Sequence, residues 1–161
     1  MPKVIASILG VLLLMSAKAD EPKGIIGRMY IDGFPVIYKF VNEFPAEEIR
    51  LQYPRLVVVS WQYDGSENNG MPKESVNKEM IELEDTLEEG IENQGICKHV
   101  YSRTGKNLKE LVYQIRSDET FLESLNKSLA GHPRYPIEIT FYEDKEWQDF
   151  KELLNDFNKG S

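Results

Sequence analysis

The chain is short of cysteine, histidine and positive charge, and each shortage narrows what it can be. Cys97 is the only cysteine, so no internal disulfide forms and stability must come from packing. A lone thiol reads as a small buried residue of a strand. The competing reading, a reactive thiol, has only Lys98 and His99 beside it to lower its pKa. Histidine occurs twice, at His99 and His132. Cys97 and His99 on one strand face would give two metal ligands where zinc takes three or four, so no metal is expected. No G-x-S-x-G elbow is present. The loop "DGSENNG" has only Gly65 and Gly70, with no lysine in phosphate-cradle spacing. No catalytic residue and no cofactor is therefore assigned. Lysine and arginine total 19 against 27 acidic residues. A field of that sign repels phosphate backbones and anionic lipid, which disfavours nucleic acid and membrane surfaces as partners.

A long apolar run is also missing. "MPKVIASILGVLLLMSAKAD" has Lys3, a hydrophobic stretch from Val4 to Met15, and Ala17-Lys18-Ala19. That is the layout of a secretory signal peptide cleaved after Ala19, and too short for the ~20 residues of a membrane span. No cysteine follows it, so a lipoprotein signal is excluded. The expected destination is export, to the periplasm or the medium, without stable membrane insertion after cleavage. Losing residues 1–19 leaves 17 basic against 27 acidic side chains over residues 20–161, a size that suits a single α+β domain. Its first residues, "DEPKGIIG", are expected to be loose.

Asp32-Gly33 lies between two apolar runs and predicts a hairpin of strands 26–31 and 34–41. "EFPAEEIRLQYP" reads as a short turn or helix. "RLVVVSWQY" (55–63) is a buried strand. Val76, Met80, Leu83, Leu87 and Ile91 form one helical stripe over 73–93, with Gly95 as a stop. Residues 96–116 give two strands around Thr104-Gly105-Lys106-Asn107. Ser117 or Asp118 caps a helix carrying Phe121, Leu122, Leu125 and Leu129. "YPIEITFYE" (135–143) alternates as a half-buried strand. Asp144 caps a last helix with Trp147, Phe150, Leu154 and Phe157 on one side. Over the core, residues 55–143, the order strand-helix-strand-strand-helix-strand is the split βαβ of ferredoxin-like domains. Strands 55–63 and 107–116 would be innermost, both helices would share one face of an antiparallel sheet, and the N-terminal hairpin and C-terminal helix would be additions.

"VVVSWQYDGSENNGMP", "IELEDTLEE", "ELVYQIR" and "YPIEITFYEDKEWQDF" together resemble the bacterial family known as domain of unknown function 695. The resemblance runs over roughly residues 34–157. It is strongest at Trp61 with Tyr63, Gly70-Met71-Pro72, Leu83-Glu84-Asp85 with Leu87, and Asp144 before Trp147. It implies a fold but no reaction.

Side chains that could carry function each have a plainer reading. Trp61 and Tyr63 project to one sheet face with Val57 and Val59, as core or as an aromatic platform beside a mobile loop that includes Met71. Glu84 borders the buried stripe and needs a partner; Asp85 points to solvent. Glu84 and Glu88 share a side, but two like charges make a poor metal site. Lys98, Arg103, Lys106 and Lys109 make a basic hairpin, either charge balance for the acidic helix or a docking site for an acidic partner. The expected function is an exported, non-catalytic module for a protein or peptide partner, with Trp61, Tyr63, Met71, Glu84, Arg103 and Lys106 as candidate contacts. The rival is a small periplasmic hydrolase using Glu84, His99 or Cys97, which requires at least two of them to converge in a pocket.

Overall fold

The computed structural model describes residues 24–160; the expected leader and its cleavage site lie outside them. Strand β1 (Gly24–Ile31) turns at Asp32-Gly33 into β2 (Phe34–Val41). Both turn residues have positive φ, 50° and 81°, as a tight hairpin requires. Gly24–Gly27, expected to be loose, pairs with Tyr38–Val41 and opens β1. Then come α1 (Glu47–Gln52), β3 (Arg55–Gln62), α2 (Glu74–Leu87), β4 (Cys97–Gly105), β5 (Leu108–Ile115), α3 (Asp118–Ser128), β6 (Ile137–Glu143) and α4 (Gln148–Lys159). The six strands form one antiparallel sheet in the order β1-β2-β4-β5-β3-β6.

The last four of these, β4-β5-β3-β6, have the ferredoxin-like order. The fold is α+β, with β3 and β5 innermost in that core and the N-terminal hairpin extending the sheet beyond β4. Alternation along β3 sends Val57, Val59 and Trp61 to one face, where Met80, Leu83 and Leu87 of α2 and Phe121 and Leu125 of α3 cover them. Leu56 goes to the other face, where α4 lays Phe150, Leu153 and Leu154 over it with Val36, Tyr38, Phe40 and Val112. The C-terminal helix thus makes the second half of a two-sided core. Leu122 is the exception to the stripe expected in α3 and stays exposed.

Caps follow the sequence. Ser117 accepts from the Thr120 amide at the start of α3. Asp144 accepts from the amides of Gln148 and Asp149 at the start of α4, and the buried Gln114 amide holds its carboxylate in place at 3.0 Å. Helix α2 ends differently from the expected continuous helix to 93. It widens into a π turn over Glu88–Glu92, closed by the Asn93 amide on the Glu88 carbonyl at 2.8 Å. Gly105 has φ 150°. A Cβ there would strike the Pro35 carbonyl and lie 2.8 Å from the Val36 Cα. Gly105→Ala is expected to lower stability by roughly 1–3 kcal/mol, read from urea midpoints, because the β2–β4 seam would have to part.

Candidate functional site

The residues singled out by sequence do not form one site. Trp61 is 4% exposed, with its ring 5.4 Å from that of Tyr135; the platform reading fails because α2 covers that face. Tyr63 donates to the Gly70 carbonyl at 2.8 Å. The loop beside it is tied down rather than free. The Asn107 amide donates to the Gly70 carbonyl at 2.9 Å. The Asn107 side-chain oxygen in turn accepts from the Gly65 amide at 2.9 Å. Met71, half-buried, is held by its amide on the Asn68 carbonyl. The basic hairpin is largely consumed internally. Arg103 lies 4.0 Å from Glu110, Lys106 pairs with Asp32, and Lys109, 5% exposed, pairs with Glu84. Of these three, Lys109 pairs with the acidic helix, whereas Arg103 and Lys106 pair with carboxylates of β5 and of the N-terminal hairpin. Glu84 has the partner its border position demanded, in an ion pair rather than an aligned hydrogen bond.

What the structure opens instead is a notch in the sheet. Strand β2 pairs with β4 only from Val36↔Gly105 to Phe40↔Tyr101, and β2 ends at Val41. β4 runs on to Cys97, paired with β5 and irregular between His99 and Tyr101. Residues Cys97–Val100, about 13 Å of strand at the usual rise, therefore have β5 on one side and, among the described residues, no paired strand on the other. Lys98 and His99 are exposed although β4 is not an edge strand. The His99 amide, with no strand to meet, donates to Glu92 Oε1 at 3.2 Å.

A pocket lies on each side of this open edge, and His99 lines both. On the α4 side Val41, Ile49, Val100, Trp147 and Phe150 surround about 480 Å³, with Glu43 and Lys98 among the polar lining residues. On the α2 side Glu84, Glu88, Glu92, His99 and Tyr113 surround about 290 Å³. A family model matches residues 27–155, described as a family of unknown function (DUF695). The chain belongs to this family. The matched span takes in every residue named at the notch. Neither a curated protein nor a solved structure matches the chain. Membership in DUF695 thus brings no reaction with it, and the chemistry has to be read from the side chains.

Burial favours the neutral form of three side chains at the notch. Solvent reaches His99, yet the protein crowded around its ring favours the neutral imidazole and lowers its pKa, against the pull of Glu84. Tyr113, edge-to-face with His99 at 5.4 Å, is held well above the ordinary phenol value by burial first and then by Cys97 and the surrounding glutamates. Burial also raises Glu92, with Glu88 adding to it and the His99 amide opposing. Among the described residues no three His, Cys, Asp or Glu side chains are placed to hold a metal. Cys97 is fully buried, and burial pushes its thiol up to about 12. Iodoacetamide at pH 8 is expected to leave folded protein unlabelled by mass and to label Cys97 fully once urea unfolds the chain.

Sequence reasoning saw Glu84 and Glu88 on one helix side but missed Glu92, Tyr113, Val100 and Ile49 as neighbours. The four-residue spacing of the three glutamates was a usable signal. The early end of β2 had none.

Proposed function

We propose that this chain is an exported, non-catalytic module that binds an extended peptide segment of a protein partner along the open edge of Cys97–Val100. The observation that carries the reading is the unpaired length of β4 between two pockets. Strand addition uses such an edge for affinity and flanking pockets for side chains. The leader-like N-terminus supports export to the periplasm or the medium, where partners would be unfolded tails or loops. The net negative charge supports a protein partner over nucleic acid.

The hydrolase reading has one observation in its favour, that Glu84 and His99 line the same pocket. Cys97 does not join them at its surface, and Glu84 is engaged by Lys109. Ester turnover that vanishes in His99→Ala would favour that reading.

Strand addition is tested by fluorescence anisotropy with labelled, capped hexapeptides. Ala46 is exposed and lines the apolar pocket, so Ala46→Trp is expected to fill it and abolish binding while leaving the melting temperature unchanged. Equal binding by wild type and Ala46→Trp overturns the proposed site.

A further inference from the structure

We infer that the notch reads two adjacent side chains of its peptide, an apolar residue on the α4 side and a lysine or arginine next to it on the α2 side. This rests on the peptide-binding reading and adds the chemistry of the ligand. Successive side chains of a strand point to opposite faces of the sheet. A strand laid against Cys97–Val100 must therefore put neighbouring residues into different pockets.

The two pockets differ in kind. Val41, Ile49, Val100, Trp147 and Phe150 offer an apolar, aromatic wall, with room for a leucine, methionine or phenylalanine side chain. Across the edge, Lys109 neutralises Glu84, whereas neither Glu88 nor Glu92 has an ion-pair partner among the described residues. Tyr113 is only 3% exposed and lines this pocket, yet its hydroxyl makes no hydrogen bond with any described residue. Two carboxylates without an ion pair and a free phenolic oxygen are what an ammonium or guanidinium group satisfies.

Glu92 links the edge to the charge. Its carboxylate now takes the His99 amide, the place an added strand's carbonyl would occupy. A bound peptide supplies that carbonyl, and the freed carboxylate turns to the incoming cation. One side chain thus covers the edge when empty and joins the basic residue when filled.

The test uses full-length folded protein and four capped, fluorescein-labelled hexapeptides of threonine. One carries adjacent Leu-Lys at its centre, one Leu-Glu, one Ser-Lys, and one Leu-Thr-Lys. The first is expected to bind, and each of the others to bind about tenfold more weakly. In Leu-Thr-Lys both side chains fall on one face. Glu88 is exposed, so Glu88→Lys is expected to fold normally and to prefer Leu-Glu over Leu-Lys. Equal binding of all four peptides, within about twofold, overturns the side-chain inference and leaves strand addition standing. Binding of none of them overturns both.

Discussion

Glu84→Ala is expected to lose roughly 3–5 kcal/mol of folding stability, because it leaves the Lys109 ammonium buried without its counter-charge. Lys109 is 5% exposed and Glu84 about a quarter exposed at the side chain. The pair bridges β5 and α2, and Lys109 lies beside Val59, Trp61, Met80 and Leu83. Removing both charges is a different matter. A Glu84→Leu/Lys109→Met double variant keeps apolar volume and strands nothing, so it is expected to lie within about 1–2 kcal/mol of wild type. Urea unfolding of the two single variants and the double variant gives the coupling energy. Additive losses would show that the pair holds nothing in place and that α2 is fixed by its apolar stripe alone.

Trp147→Ala is expected to cost a similar amount, about 3–5 kcal/mol, and to loosen α4 from the sheet. Trp147 is 2% exposed, packs among Tyr53, Leu56, Val100 and Phe150, and donates its indole N–H to the Tyr53 carbonyl at 3.0 Å. It also has φ 54°, a left-handed conformation that costs any non-glycine side chain roughly 1–2 kcal/mol. Alanine carries the same backbone cost, so the loss measured is that of the ring and its hydrogen bond. Trp147→Phe retains most of the packing and is expected to lose about half as much. Near-ultraviolet circular dichroism with chemical denaturation separates the two. A Trp147→Ala loss below about 1 kcal/mol would mean that α4 is held by Phe150, Leu153 and Leu154 without its anchor.

Features set by local pattern were legible in the sequence. Val57, Val59 and Trp61 alternate, so their shared face could be read. Met80, Leu83 and Leu87 recur at helical spacing and are buried where the stripe put them. Asp32-Gly33 fixed its hairpin by backbone geometry alone. Leu122 was misplaced because the helical repeat marks a stripe but not how far its partner surface reaches. The notch was illegible for a related reason. That the β2–β4 pairing stops at Phe40↔Tyr101 while β4 continues depends on where the chain leaves the sheet after Val41 and on the irregularity at His99/Tyr101. Neither is written in the periodicity of either strand. Lys109 reads as one more surface charge of a basic hairpin until the sheet register puts it beneath Glu84. The π turn that brings Glu92 to the His99 amide depends on a single extra residue in a helical turn.

Strand addition at the notch makes one demand that no other docking mode shares. A peptide on this edge must take over the His99 amide, whereas one bound at the outer edge of β1 or β6 leaves it as it is. Amide hydrogen exchange, followed by NMR with and without a saturating Leu-Lys hexapeptide, tests this directly. The expected result is slower exchange at His99, about tenfold or more, with β1 and β6 unchanged. Protection confined to β1 or β6, with none gained at His99, would contradict the account.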